Sequence, residues 1–220
     1  MIRLHVTADA SGAAEAGARG DVVVIVDVID MSTTAEALWE EGVLEVFGAA
    51  VDGCRVPVKV DPEMMGYLAG QAALARSCGV VVVAEPRVAT EEERCQRCRL
   101  ALAGLERAGV RPEGIYPNLG AETVKQFTAR NKVALLVTDT GGAAFDAAWQ
   151  AGATVVTTAT VARTMGRRGQ SPALAGVQRS LALAKADGKS ITFVAASANS
   201  LEDVLAAEYL ANLALAMQES

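Results

Sequence analysis

The stretch VVVIVDVIDMSTTAEALWEEG, residues 22–42, decides the fold because a strand, a polar turn and a helix follow one another in it. Its first five residues are an apolar run that leads straight into Asp27, and the turn then opens the helix-forming sequence AEALWEE. This pattern is typical of one half of a βαβ unit. Open α/β sheets bind ligands at the carboxyl ends of their strands. Asp27 is therefore the first candidate for a functional residue.

Strand and helix patterns alternate along the rest of the chain. This alternation predicts an α/β fold in which a mostly parallel or mixed sheet lies between helices in three layers. No internal repeat or long linker is apparent, so we predict that residues 1–220 form a single domain. We predict strands near 2–6, 22–28, 43–48, 80–84, 133–138, 153–157 and 191–196, and helices near 33–41, 63–78, 90–108, 120–130, 142–150, 173–187 and 200–217.

Composition limits the classes of function. The chain has 220 residues, 51% hydrophobic and 21% charged, which suits one globular domain with a large core. A formal net charge of −6 argues against nucleic acid as a partner. The N-terminal sequence MIRLHV does not resemble a signal peptide, and no apolar run is long enough to span a membrane. We therefore expect a cytoplasmic protein that has no membrane partner. Composition does not decide the substrate or the oligomeric state, for which we expect a small anionic molecule and a homo-oligomer.

Two cysteines, Cys95 and Cys98, form a single CxxC motif inside a predicted helix whose N-cap is Thr90. A structural zinc site needs a second ligand pair, and the only histidine, His5, falls in the first predicted strand. We favour plain thiols on a helix over a metal site or a redox site.

The turn after the first buried strand holds two carboxylates, Asp27 and Asp30. Thr33 and Glu36 match a capping box, which is a structural role that leaves both aspartates unexplained. Hard oxygen donors of this kind suit Mg²⁺. For Asp30 the alternative is a solvated turn residue near a helix N-terminus, where negative charge is favourable.

The sequence LLVTDTGGAAFDAAWQAG, residues 135–152, contains a second junction between a strand and a helix. Gly141 and Gly142 would let the backbone approach an anion at the helix N-terminus. A tight packed turn explains the same two glycines equally well.

Carboxylates also follow two other predicted strands. Glu85 comes directly after residues 80–84, and Glu202 and Asp203 open the last helix, where Ser200 is a candidate N-cap. If these turns converge with Asp27, their charges repel one another unless a cation lies among them. This predicts a Mg²⁺ site.

Four segments resemble, in collinear order over most of the chain, the 2-phosphosulfolactate phosphatase family, Mg²⁺-dependent enzymes of coenzyme M biosynthesis. The segments are DVVVIVDVIDMSTTAEALWEEG, VVVAEPR, LLVTDTGGAAF and SLEDVLAAEYL. They are similar to the family's DVLRAST-type strand end, its GER segment, its TTNGTRAL-type motif and its FSLED–AAG helix.

The chain differs from this family at the arginines of two motifs. Asp30 stands where the first motif has an arginine, and alanines follow Gly142 where the third has one. Guanidinium groups match phosphate and sulfonate well, so we expect other cations to replace them. Arg167 and Arg168 lie in a Gly-flanked loop, residues 159–172, that we expect to act as a lid over the cleft. A solvated surface loop is the alternative.

The resemblance implies a phosphoric monoester hydrolase that depends on Mg²⁺. The alternatives are a non-catalytic ligand-binding or assembly protein on the same fold, or an enzyme with a substrate other than a phosphosulfonate. The expected catalytic residues are Asp27, Glu85 and Glu202; the expected metal ligands are Asp27, Glu202 and Asp203; the expected substrate-binding residues are Ser32, Thr33, Thr34, Gly141, Gly142, Arg167 and Arg168.

Overall fold

The computed structural model describes residues 1–219, in which eight strands alternate with eight α-helices and one 3₁₀ helix. The strands are β1 (Leu4–Ala8), β2 (Val22–Val26), β3 (Glu45–Ala50), β4 (Gly79–Ala84), β5 (Ile115–Pro117), β6 (Lys132–Thr138), β7 (Val156–Thr158) and β8 (Ile191–Ala195). The helices are α1 (Asp9–Arg19), α2 (Met31–Glu40), α3 (Pro62–Ala75), α4 (Glu91–Arg97), α5 (Arg99–Arg107), the 3₁₀ helix (Gly120–Lys125), α6 (Gly141–Gln150), α7 (Ser171–Asp187) and α8 (Leu201–Glu219).

The strands form two parallel sheets. Sheet A has the order β1-β8-β2-β7, and sheet B has the order β3-β6-β4-β5. Helices α7 and α8 cover the outer face of sheet A, α3 and α5 pack against one another beside sheet B, and α1, α2 and α6 lie between the sheets. The predicted α/β class, with parallel strands flanked by helices in one domain, is confirmed. We expected one sheet between two layers of helices. The structure instead has two sheets with a layer of helices between them.

The two halves of the chain repeat the same order of elements. Each strand of the first half has a counterpart in the second half that occupies the equivalent place in the other sheet: β2 corresponds to β6 and β3 to β7. Equivalent residues of the two halves are separated by a constant number of positions. Trp39 therefore corresponds to Trp149, and Pro62 to Pro172, at equivalent helix positions. The expectation of no internal repeat was therefore wrong. Because each sheet takes two strands from each half, the halves interlock.

Strand β2 illustrates why the apolar runs become central strands. All five of its residues are buried. Val23 and Ile25 join the core cluster that faces sheet B, whereas the alternate residues pack under α7 and α8. Side chains of a strand alternate between its two faces, so a continuous apolar run serves a sheet that is covered on both sides.

Several boundaries differ from the sequence-based expectation. Helix α1 and strand β5 were not predicted, the helix expected over 90–108 is broken into α4 and α5 at Cys98, and the helix expected over 120–130 is the shorter 3₁₀ helix. Helix α1 contains Gly12 and Gly17, which are poor helix formers. Both lie in close contacts, since a Cβ on Gly12 would overlap the side chain of Thr7 on β1 and a Cβ on Gly17 would overlap the carbonyl oxygen of Ala148 on α6.

The cysteines and the helices bear on two further expectations. All four cysteines are free thiols, and burial raises the pKa of Cys98 to about 12, which keeps this thiol protonated. Thr90 caps α4 through a capping box with Glu93, as its sequence context indicates. Within residues 1–219, no helix is both long and apolar enough to cross a membrane.

Candidate active site

Asp27 lies at the carboxyl end of β2 with a side chain held between two helix N-termini. Asp27 as a whole residue is only 3% exposed. Oδ1 accepts a hydrogen bond from the backbone N–H of Asp30 (3.2 Å), and Oδ2 accepts from Gly141 N–H (3.0 Å) and Thr140 Oγ1 (3.3 Å). Burial, reinforced by the charges of Asp203 and Asp30, raises the pKa of Asp27 to about 7. This carboxyl group can therefore hold or release a proton near neutral pH.

The two glycines that begin α6 allow close contacts, one with Asp27 and one with β3. A Cβ on Gly141 would overlap Oδ2 of Asp27, and a Cβ on Gly142 would overlap the carbonyl oxygen of Ala49 on β3. The N–H of Gly142 is donated to Thr138 Oγ1 (2.7 Å). Both glycine N–H groups are thus engaged by the protein, so in this structure the glycines serve close packing and do not present a free anion cradle.

The hydroxyl groups of the Ser32–Thr34 turn are buried and bind the backbone around it. Ser32 Oγ donates to the carbonyl oxygen of Ile25 (2.8 Å) and accepts from Asp27 N–H (2.9 Å). Thr33 Oγ1 donates to the carbonyl oxygen of Val28 (2.5 Å). The structure therefore gives Ser32 and Thr33 a role in holding the turn that carries Asp27.

Two further details of this helix differ from expectation. Thr34, expected to bind substrate, instead donates through Oγ1 to Asn118 Oδ1 and to the carbonyl oxygen of Gly120. The predicted capping box was wrong, because α2 begins at Met31 and the carboxylate of Glu36 binds Arg179 on α7 instead. Burying a carboxylate without a neighbouring cation costs free energy, so the ion pair with Arg179 explains why Glu36 can lie in the core.

A cleft of about 280 Å³ opens beside Asp27 at the end of sheet A, and we call it the carboxylate cleft. Asp203, which is 4% exposed, accepts the backbone N–H of Val28 (2.8 Å) through Oδ1 and so ties α8 to the end of β2. The pKa of Asp203 is raised chiefly by burial and, to a smaller extent, by the negative charges of neighbouring carboxylates. The cleft is lined by Asp27, Ile29, Asp30, Thr140, Ser197, Asn199, Ser200, Glu202 and Asp203.

The candidate N-cap of α8 takes the expected position. Ser200 Oγ accepts the N–H of Asp203 at 3.4 Å. The structure thus brings three predicted residues, Asp27, Glu202 and Asp203, to one cleft, with Asp30 beside them.

Glu85 lies on the other side of the Asp27 turn, at the end of β4, and does not line the carboxylate cleft. Its Oε2 accepts the N–H of Asp139 (2.9 Å), and its Oε1 accepts from Asn118 Nδ2 (3.3 Å). Burial raises its pKa, with smaller contributions from the charges of Asp30, Asp139 and Asp27. Glu85 is therefore electrostatically linked to Asp27 without facing the same space.

Arg87 is the cation that meets this acidic region, and it was not among the predicted site residues. Its Nη2 binds Asp30 Oδ1 at 2.8 Å, and its Nε donates to the carbonyl oxygen of Asn118 at 2.9 Å. A second arginine, Arg97, pairs with Asp139. The position of Arg87 two residues after Glu85 was the available signal, whereas Asn118 follows a strand that the sequence did not predict.

The basic loop does not lie over the carboxylate cleft. Arg167 Nε binds Glu40 Oε1 at 3.4 Å, and Glu40 also accepts from Thr164 and from the N–H of Gly166. Glu40 ends α2, whereas the start of α2 adjoins Asp27, and a ten-residue helix is about 15 Å long. Arg168 is exposed beside this anchored segment.

The donor set of the cleft suits Mg²⁺ better than a transition metal. Among residues 1–219, no group of three or more His, Cys, Asp and Glu side chains is placed so that it could hold a metal ion, so the expected ligands Asp27, Glu202 and Asp203 do not form such a group. Mg²⁺ does not need one, since it commonly takes one or two carboxylates and completes its shell with water and substrate phosphate. Asp27 and Asp203 offer that kind of site, with Glu202 at its edge.

No model of a protein family, no curated protein and no solved structure matches this chain. The case for a function therefore rests on the geometry of the residues at the end of sheet A.

Proposed function

We propose that this protein hydrolyses a small phosphate monoester with Mg²⁺ bound at the carboxylate cleft. The observation that carries the proposal is a pair of buried carboxylates that face one cleft, Asp27 after β2 and Asp203 in the first turn of α8, both with raised pKa values. Perturbed carboxyl groups of this kind concentrate at catalytic sites. Bound Mg²⁺ would neutralise the charge of the phosphate ester.

The residues of the chain would divide the remaining tasks. Asp27 and Asp203 would hold the cation, and Asp27, whose pKa without the cation is about 7, would release its proton when the cation binds. Arg87 lies beside Asp30 at the rim of the cleft, where its guanidinium is partly exposed and suited to a phosphate oxygen. Glu85 supports the arrangement from sheet B by its charge and by its bond to Asp139.

Phosphate release from a panel of monoesters, including 2-phosphosulfolactate, tests this proposal. We expect release that requires Mg²⁺, stops with a chelator and is lost in Asp27→Asn. A matched surface control is Asp187→Asn, whose side chain pairs with Lys189 away from the cleft. Release that is independent of Mg²⁺, or equal in Asp27→Asn and the parent protein, would overturn it.

One observation favours a second candidate, a non-catalytic binding protein. The residues that line the carboxylate cleft carry negative charge and include no lysine or arginine. The same cleft would suit a cation without any phosphate. Calorimetric binding of Mg²⁺ with no phosphate release from any ester would favour this candidate.

We also propose a cytoplasmic homo-oligomer. Four free thiols suit a reducing compartment. Apolar side chains are exposed next to Arg87, where Val88 is 93% and Ile29 55% exposed. Such a rim is typical of a contact surface. Light scattering that gives a monomeric mass would contradict the oligomer.

A further inference from the structure

An apolar groove of about 530 Å³ lies on the outer side of sheet A, between α8 on one side and the basic loop, residues 159–172, with the start of α7 on the other. This volume is within the range of small-molecule sites. Its apolar lining includes Val161, Ala173, Leu205, Ala206 and Tyr209. Ala173 and Ala206 are buried at its floor, whereas Leu205 is 54% exposed.

The equivalent helices of the first half leave no such space. Helices α3 and α5 touch through their backbones, because a Cβ on Gly66 would overlap the carbonyl oxygen of Ala101, and a Cβ on Gly104 would overlap that of Glu63. In the second half, Gly176 on α7 faces Ala159 in the loop after β7 instead of α8. The repeated fold therefore permits a closed helix pair, and the open groove is particular to the side that carries the carboxylate cleft.

The groove and the carboxylate cleft meet at one residue. Glu202, in the first turn of α8, lines both. On the groove side, Gln170 Nε2 donates to Tyr209 Oη (2.7 Å) and links the two helices. A molecule with its charged end near Asp27 would therefore extend into the groove past Glu202.

We propose that the groove binds the apolar part of the substrate, so that the substrate is a phosphate monoester of an apolar or aromatic alcohol. This inference rests on the proposed function for the phosphate end. The groove itself supplies the apolar walls, and Tyr209 supplies an aromatic side chain with a polar tip at its edge. Burial of a ring there would favour such esters over small polar ones.

Calorimetry with two phosphonates, in the presence of Mg²⁺, tests the groove without requiring catalysis. Phenylphosphonate and methylphosphonate share the charged end, are not phosphate esters, and differ in the apolar group. We expect phenylphosphonate to bind at least tenfold more tightly. The preference should fall to less than threefold in Ala206→Leu, which fills the floor, and in Leu205→Asn, which makes the wall polar.

Leu215→Asn is the matched control, because Leu215 is an exposed leucine of the same helix outside the groove. The control should keep the tenfold preference. Equal affinity for the two phosphonates in the parent protein would overturn the inference, as would a preference that survives both groove variants.

The outcomes separate this inference from the proposed function. A preference for phenylphosphonate without turnover of any ester supports the groove and contradicts the phosphatase. Turnover of esters without any preference supports the phosphatase and overturns the groove. A dimeric mass by light scattering that becomes monomeric in Leu205→Asn but not in Leu215→Asn would assign the groove to a second copy of the chain and overturn the inference.

Discussion

The two sheets differ at the carboxyl ends of their central strands. Strands β2 and β6 are equivalent, and in each sheet a carboxylate accepts the backbone N–H just beyond the strand: Asp203 binds Val28 and Glu85 binds Asp139. At the end of β2, Asp27 is buried and faces an acidic cleft. At the end of β6, the side chain of Asp139 is exposed and paired with Arg97. A duplicated framework thus supports a candidate site at one end only, where Asp27 and Asp203 face a cleft whose lining includes no lysine or arginine.

The largest effect should come from removing the charge at each strand end in turn. We expect Asp27→Asn to lower Mg²⁺-dependent phosphate release between a hundredfold and ten-thousandfold, the range typical of a lost acid–base group. Asp139→Asn should change it less than fivefold, because that side chain is exposed. Steady-state rates of the two variants measure the difference. Comparable losses in both would mean that the two ends do not differ in function.

One pair of residues that the repeat does make equivalent lies in the middle of the central helices. Glu36 on α2 is fully buried against Arg179, whereas Asp146 on α6 accepts from the neutral backbone groups of Asp61 and Ala50. Loss of one partner of a buried ion pair costs about 3 kcal/mol or more. We therefore expect Glu36→Gln to destabilise the protein by about that amount.

Asp146→Asn should have a much smaller effect at pH 7, since burial raises the pKa of Asp146 to about 6 and its charged form is already costly there. Urea denaturation measures both changes. Equal losses of unfolding free energy would contradict the contrast between the ion pair and the isolated carboxyl group.

The close contact between α6 and Asp27 predicts an effect of a single methyl group. In Gly141→Ala the new Cβ would overlap the carboxylate of Asp27, so we expect a loss of about 2 kcal/mol in unfolding free energy. Phosphate release should fall at least tenfold. The control Gly166→Ala has ordinary space, with the nearest heavy atom of Glu40 3.7 Å away, and should change stability by less than about 0.5 kcal/mol. An active, fully stable Gly141→Ala would show that this contact does not position Asp27.

The smallest predicted effect is a dependence of the free energy of unfolding on pH. Burial raises the pKa of Asp27 to about 7 from an unfolded value near 3.8, so the native protein binds a proton that the unfolded chain releases. The stabilisation is fully present below about pH 4 and is lost as pH rises through about 7. In the presence of a chelator, the contribution of Asp27 alone to the unfolding free energy should fall by about 1 kcal/mol per pH unit between pH 5 and 7.

Asp27→Asn should make this slope shallower, because the variant has no proton to lose at that position. Glu85 and Asp146 also have raised pKa values and would leave part of the slope in place. Denaturation curves at several pH values measure both slopes. A slope of the opposite sign, or one unchanged by Asp27→Asn, would show that Asp27 does not titrate as its burial indicates.

Local sequence signals were sufficient for the central elements. The strand β2 and the start of α2 follow from an unbroken apolar run and a polar turn. Strand β5 was not predictable, because it has three half-buried residues and ends at Pro117. Helix α1 was missed because Gly12 and Gly17, which pack against β1 and α6, argue against a helix when read locally.

The division into two sheets depends on pairings between distant strands, such as β2 with β8, which local patterns do not encode. The repeat itself was visible in the spacing of Trp39 and Trp149, and of Pro62 and Pro172. For the site, strand order brings Asp27 and Asp203 together, as the strand-end rule predicts. The partners Arg87 and Asn118 depend on loop conformation, and so does the position of the basic loop.

The most direct test of the central claim is a crystal structure of the protein soaked with Mn²⁺, which substitutes for Mg²⁺ and gives an anomalous signal. A cation held at the carboxylate cleft predicts an anomalous peak within about 2.5 Å of carboxylate oxygens of Asp27 and Asp203. No comparable peak should lie at Asp139. A cleft without a peak, or a peak at Asp139 instead, would contradict the assignment of the metal-dependent site to the end of sheet A.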